Sequence, residues 1–477
     1  MSMSGSAMAR IVGIQTIVQF VIDFSASLIV ARLLSPHELG AFSIALAAVV
    51  IAATLRSAGV NMFLIAAPRL DRPMVRTALG MAMLTSFAFA GLIFLAAPAI
   101  AAFYREPTIA DVLRIVTLSY LMAPYQVLSH GLLTRALRFK TILLATLAGA
   151  AAGAATSVGL AYAGWGSLAM AYGSVVNGAV ALGLSVIARP PDFVWRPSLS
   201  HWRSISSFTG WVLGGVLLGQ VGPRLNELFV GRSLGIAPAA FLDRAEMLPR
   251  MLWNYAAPPV LSILSPLVAH ELRSGIDAHA TLLVRMRLFG CIFSPILIGI
   301  ATQSAPILIG LYGWQWQSSI APAPWLCIAA AITGQFVVLN ASLSGLGKAR
   351  ELFVLGLAEQ AARVAMLAML SWTNIVYVAI GTIGVSLVYA AAAIRLGMAL
   401  GLFSLREMLA SLLPSAAICA VVGAAGIAID VARGGGIPPH PILAVFEAAG
   451  LLALVWLAAV FLFQRSVLTA LWKVARH

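Results

Sequence analysis

Apolar stretches of about 20 residues recur from one end of this chain to the other, each long enough to cross the hydrocarbon of a bilayer as a helix. Backbone in hydrocarbon must satisfy its own polar groups, which restricts such a chain to helices or a closed barrel, and continuous rather than alternating apolar runs select helices. Spans read near 11–31, 39–61, 77–101, 109–134, 141–163, 167–188, 204–231, 237–268, 286–309, 321–344, 352–372, 375–399, 409–431 and 442–464, about fourteen in all. Charged residues make up 10% of the chain, against roughly 25% in soluble domains. The expected fold class is an all-α polytopic membrane protein.

The net charge of +14 suggests nucleic acid only until its distribution is plotted. Of the 30 basic residues, 19 fall on the side of the N-terminus; Arg32, Arg105, Arg232 and Arg433 fall on the other. This asymmetry places both termini in the cytoplasm by the positive-inside rule, and no nucleic-acid partner is expected. Trp165, Trp314, Trp316 and Trp372 fall at outer span ends and Trp202 at an inner one, where indole rings anchor in the headgroup region. The first apolar run exceeds signal-peptide length and reads as a span. Cys291, Cys327 and Cys419 all lie within spans and form no disulfide or metal-ligand pattern.

The longest stretch between spans, "ARPPDFVWRPSLSHWR" at 188–203, is too short to fold alone. No P-loop, zinc-binding histidine pair or phosphate-cradling glycine fingerprint occurs, so ATP-driven transport within this chain is excluded and no cofactor is expected. A membrane polysaccharide polymerase or ligase stays an alternative, although such enzymes usually carry their catalytic groups on a sizeable outer loop.

Three landmarks recur in order. "ARLLSPHELGAF" (31–42) is echoed by "GRSLGIAPAAFL" (231–242), "LLTRALRFK" (132–140) by "LSGLGKARE" (343–351), and "GWGSLA" (164–169) by "GTIGVS" (381–386). Six spans per copy give both copies one orientation, as in transporters whose substrate site lies between the halves near the midplane. The expected organisation is an N-lobe at 1–203, a C-lobe at 204–408, and two further helices with a tail at 409–477.

Several stretches resemble a known group: "ARLLSPHELGAFSIALAAVV", "RSAGVN" (56–61), "NELFVGRSLG" (226–235) and "AEMLPRMLWNYAAPPVLSILSPLVAHEL" (245–272) are similar to Wzx-like polysaccharide flippases of the MOP exporter superfamily. That superfamily also holds the lipid II flippases and the MATE drug antiporters. The resemblance implies two six-helix lobes around a central cavity in a bacterial inner membrane. It also implies transfer of undecaprenyl-diphosphate-linked oligosaccharides to the outer leaflet, with the lipid tail in the bilayer and polysaccharide polymerase machinery as a partner. Relatives often read D-N-L-L-I-G-R-x-L-G where this chain has an amide, Asn226, with Glu227 beside it.

Seven arginines fall inside spans, where a central one costs about 2.5–3.5 kcal/mol on insertion scales and so faces protein or water. Arg114 has Asp111 at i−3, Arg363 has Glu359 at i−4, and Arg395 can snorkel to the inner surface. Four remain as ligands for a diphosphate, which suits forked, permanently charged donors: Arg56, Arg224, Arg244 and Arg250. Asp243, Glu246, Arg250 and Asn254 are spaced to share one helix face, which reads as a cavity wall or as a ladder in which Glu246 neutralises Arg250. Asp23 and Arg224 fall at matching depths in the two copies. They read as an ion pair across an outer gate, or else Arg224 pairs with Glu227 and Asp23 takes a cation or proton. Gln15, Gln19, His130, Gln335 and Asn340 read as helix–helix hydrogen bonders or as contacts for sugar hydroxyls. Moving about two negative charges outward through ~100 mV releases about 4–5 kcal/mol, and H+ or Na+ exchange at Asp23 or Glu246 can add to it. A MATE-like cation-coupled drug antiporter is the other alternative, and the four arginines repel its cargo.

Overall fold

The computed structural model describes residues 5–66, 70–188, 192–200, 202, 221–222, 224–255 and 278–463. Among them every regular element is helical. The first six are α1 (Gly5–Leu33), α2 (Pro36–Ala66), α3 (Arg72–Tyr104), α4 (Thr108–Arg135), α5 (Phe139–Tyr162) and α6 (Ser167–Ile187). Helix α7 is described over 224–233, and α8 is Ile236–Tyr255. The rest are α9 (Ala278–Thr302), α10 (Ser304–Tyr312), a 3-10 turn (Trp314–Ser319), α11 (Ala323–Gly334), α12 (Val337–Gly345), α13 (Ala349–Leu370), α14 (Ile375–Ala399), α15 (Leu405–Ala432) and α16 (Pro441–Phe463).

Eleven described stretches are long and apolar enough to cross a membrane. Helix α4 has the length, but its Thr, Ser, Gln and His residues dilute its hydropathy. The expected seventh and eighth spans, 204–231 and 237–268, fall partly outside the described residues. The tenth is not one rod. It breaks between α11 and α12 at Gln335 and Phe336, whose amides bond to Ile332 and Thr333 three residues back. The Gln335 amide compensates across the break, donating to Ser294 Oγ of α9 and Ser415 Oγ of α15, each at 2.7 Å. Asn340 donates to Tyr389 Oη at 2.6 Å. A broken span needs such partners because no water reaches freed backbone in hydrocarbon.

The chain folds as two compact units, Met1–Ala240 and Phe241–His477. In the first, α3 packs on α4, α4 on α2 and α6, α5 on α6, and α1 on α5. The α5–α6 approach is close because Gly153 and Gly173 leave no side chain between the helices. In the second, α9 packs on α11, α11 on α14, and α13 on α14. The pairing of third with fourth, fourth with sixth and fifth with sixth spans therefore recurs six spans later. Helices α15 and α16 join the second unit through α9 and α10. The core of that unit is aromatic, with Phe289 and Phe293 stacked at 4.2 Å and Trp253 beside both.

Loops at one end of the first unit are tied by polar contacts. His37 donates to Glu106 at 2.7 Å, and Thr108 Oγ1 donates to the same carboxylate. Burial pushes the Glu106 carboxyl up, but the Thr108 and His37 bonds outweigh it and hold the group below its ordinary 4.5. A carboxyl depressed on folding stabilises above its unfolded pKa and loses that contribution as pH falls through the folded one. Thermal unfolding of Glu106→Gln and of the unmodified chain is therefore expected to differ most near neutrality. The two should converge as pH drops below about 4.5.

Candidate functional site

Gly235, at φ 109°, makes the turn between α7 and α8, a backbone position that costs glycine little. Helix α7 is fixed within the first unit by Tyr104 Oη donating to the Leu228 carbonyl at 3.1 Å and by Arg232 over the Phe103 ring at 4.9 Å. On it, Arg224 Nη1 donates to Glu227 Oε1 at 2.9 Å. Glu227 is 1% exposed and Asn226 is also buried. Of the two partners the sequence offers Arg224, this conformation selects Glu227. Asp23 is exposed on α1 and accepts from Gln19 Nε2 at 2.7 Å, with no ion pair to Arg224.

Helix α8 belongs to the second unit from Phe241 onward. Arg250 forks between two carboxylates, to Asp243 Oδ1 at 3.0 Å and Glu246 Oε2 at 2.9 Å. The i−4 and i−7 spacings put both acids on the face of the arginine, so Asp243, Glu246 and Arg250 form an ion-paired ladder. Arg250 keeps 30% of its side-chain surface exposed, and Asn254, one turn on, is exposed. Arg244 faces elsewhere. It is buried, with its guanidinium 4.7 Å from the Tyr312 ring and 4.9 Å from the Trp316 ring. Nη1 of Arg244 and Oη of Tyr312 both point at Met247 Sδ, at 3.3 and 3.0 Å. Arg56 lies on the α2 backbone, but its side chain falls outside the described residues.

The aromatic box around Arg244 corrects one expectation. Trp316 reads in sequence as an interfacial anchor beside Trp314, yet Trp316 is fully buried while Trp314 is 63% exposed. Residue spacing gives no signal for this, because the helix ends at Tyr312 and Gly313, at φ 93°, breaks the chain before the 3-10 turn that carries Trp316. A desolvated guanidinium gains about 2 kcal/mol on an aromatic face. Tyr312→Leu and Trp316→Leu are each expected to cost about 1–2 kcal/mol in thermal unfolding. Each should cost less in an Arg244→Met background, where no cation remains to lose its ring.

On α7 and α8, then, Arg224 and Arg250 are ion-paired and Arg244 is held between two rings. Residues 29–321, more than half of the chain, match the family described as "Polysaccharide biosynthesis protein". The chain belongs to that family. Among its relatives is the succinoglycan biosynthesis transport protein ExoT of Rhizobium meliloti (strain 1021), 23% identical over 70% of this chain and 68% of that protein. Another is the lipopolysaccharide biosynthesis protein WzxC of Escherichia coli (strain K12), 21% identical over 64% of this chain and 62% of that protein. Of solved structures, the lipid II flippase MurJ in its inward closed conformation superposes with a TM-score of 0.73 at 13% identity. The superposition covers 97% of this chain and all of that one. This member of the polysaccharide biosynthesis family therefore shares the all-helical fold of that structure.

Proposed function

We propose that this chain is a secondary transporter, not an enzyme, that carries a polyprenyl-diphosphate-linked oligosaccharide across the bacterial inner membrane, from the cytoplasmic to the outer leaflet. The lobes 1–203 and 204–408 alternate access, both termini lie in the cytoplasm, and polysaccharide polymerase machinery takes the product. The observation that carries the reading is Arg250, a forked cation on α8 held by two carboxylates, on a helix whose sequence reads as part of the eighth span. A diphosphate offers that fork the same paired oxygens with more charge, so the lipid head can replace Asp243 and Glu246 as its partner. Arg224 on Glu227 is a second cation of this kind. The acids released in the exchange need protons or sodium ions, which ties lipid transfer to an ion gradient beside the membrane potential.

An apolar cavity of about 370 Å³ between α9, α15 and α16, lined by Pro295, Gly299, Val422, Leu452 and Trp456 among others, suits a lipid tail. The residues 409–477 would thus hold the part of the substrate that stays in hydrocarbon. If Asp23 and Arg224 close an outer gate in another state, the Asp23→Arg/Arg224→Asp exchange restores transport that each single change abolishes. Absence of rescue removes the gate.

The deciding experiment is reconstitution in proteoliposomes with a labelled lipid-linked oligosaccharide, scoring its transfer between leaflets with and without ion gradients. No transfer under any gradient overturns the reading. A cation antiporter is the second reading, in which a cationic cargo takes the place of Arg250 on the paired carboxylates Asp243 and Glu246. Gradient-driven uptake of a cationic dye by the same vesicles, without lipid transfer, would replace the lipid reading with that one.

A further inference from the structure

The segment joining α6 to α7 is expected, from its proline and charge content, to be a plain inner linker. Its described part, 192–200, is instead a strap bound across the end of the first unit where α4 finishes and α3 begins. Ser198 N donates to the Arg76 carbonyl at 2.9 Å, and Arg76 Nε returns a bond to the Arg196 carbonyl at 3.2 Å. The strap sits so close to α3 that a Cβ on Gly80 would collide with the Ser198 carbonyl oxygen. Phe193 and Trp195 pack edge to face at 5.0 Å, and Trp195 also meets Tyr125 of α4 at 5.6 Å. The backbone is held, yet the strap turns large apolar groups outward: Trp195 is 61% exposed, with Leu199 and Trp202 also exposed.

Cations surround this rim. Arg72, Arg76, Arg138, Lys140 and Arg196 are all exposed. Arg138 is brought to the strap's own root by Nη1 donating to the Ala188 carbonyl at 3.2 Å. No ion pair among the described residues joins any of these five to a carboxylate, although Asp71 and Asp192 are close in sequence. Of the other described arginines, Arg114, Arg224, Arg250, Arg363 and Arg433 each have an acid, whereas the exposed Arg105, Arg350, Arg395 and Arg406 are in no ion pair among the described residues and are not gathered at one rim beside outward indoles. Exposed cations beside outward indoles match a surface that is anionic at its face and apolar just beneath. A membrane leaflet containing acidic phospholipid has that profile.

We propose that the 192–200 strap, Trp202 and the cations at the strap's flank form a docking surface for the headgroups of anionic phospholipids, seating the first unit on an acidic leaflet. The indoles enter the acyl boundary and the cations hold phosphates. The proposal requires only a bilayer around the chain, so a failed lipid-transfer assay leaves it intact.

The test uses the full chain in nanodiscs of phosphatidylcholine, with and without phosphatidylglycerol, at low and high salt. Phosphatidylglycerol is expected to raise the unfolding midpoint by several degrees at low salt and much less at high salt. In Arg72→Gln/Lys140→Gln/Arg196→Gln, whose side chains make no hydrogen bond among the described residues, the phosphatidylglycerol needed for half the shift should rise. At roughly fivefold per cation near the surface, the combined rise is about a hundredfold. The charge-keeping Arg72→Lys/Arg196→Lys should behave as the unmodified chain, and so should Arg105→Gln/Arg114→Gln at the other end of the bundle. An equal response in the triple variant, or no response to phosphatidylglycerol in the unmodified chain, overturns the proposal.

Discussion

Arg250→Gln is expected to lower transfer of a lipid-linked oligosaccharide in proteoliposomes by one to two orders of magnitude. A hydrogen bond to a charged group supplies about 1.5–3 kcal/mol, which is roughly 10- to 100-fold in rate or affinity. The same substitution also destabilises the fold, because Asp243 and Glu246 lose the guanidinium they share. A fully buried pair broken in this way costs about 3–5 kcal/mol. With 30% of Arg250 exposed, the cost here should be nearer ~2 kcal/mol. Stability and transport then separate in Asp243→Asn/Glu246→Gln/Arg250→Gln, which removes all three charges. That variant should regain most of the lost stability and none of the transport. Arg250→Lys keeps the charge but not the fork, and should fall between. Wild-type transfer by the neutral triple variant would make Arg250 a structural cation only.

The second large effect is an asymmetry on α7. Glu227 is 1% exposed and Arg224 24% exposed, so the two partners do not lose equally when the other is removed. Without Glu227, the Arg224 side chain, 24% exposed, can turn outward, and Glu227→Gln should cost about 1–2 kcal/mol. Without Arg224, a buried carboxylate loses its guanidinium, and Arg224→Gln should cost about 3–5 kcal/mol. Arg224→Gln/Glu227→Gln should recover most of the difference, since a neutral pair asks for no charge in low dielectric. Thermal unfolding in a fixed detergent or nanodisc measures all three. Equal losses in the two single variants would show that the burial contrast does not govern this pair.

Boundaries of the spans were legible where bilayer thickness alone sets them. The stretch read as 375–399 is α14, Ile375–Ala399, and the stretch read as 442–464 is α16, Pro441–Phe463. Hydrocarbon thickness fixes the length of an apolar helix, and a run of Val, Ile and Ala records that length directly. Local ion pairs were legible for a similar reason. Arg363 with Glu359, and Arg250 with Glu246, are i, i+4 neighbours on any α-helix.

What was not legible depends on distant chain. Apolar sequence runs smoothly through Gln335 and Phe336, and the break there is held by Ser294 and Ser415, 41 and 80 residues away. Trp316 sits in a stretch that reads as a membrane surface, and only the approach of Arg244 from α8 makes it the wall of a buried box. The segment 192–200 has the composition of a loop, and Gly80 of α3 turns it into a strap.

The residue pattern by itself determined the solvent this chain folds in and the helical class. Those properties are additive along the chain: each residue contributes its transfer free energy whatever its neighbours do. Tertiary structure decided what residue spacing left open: Asp243 as the second acid on Arg250, Glu227 rather than Asp23 on Arg224, and two rings around Arg244. A buried charge is stabilised by the groups within a few ångströms of it, and in low dielectric that local geometry outweighs any property of the residue itself.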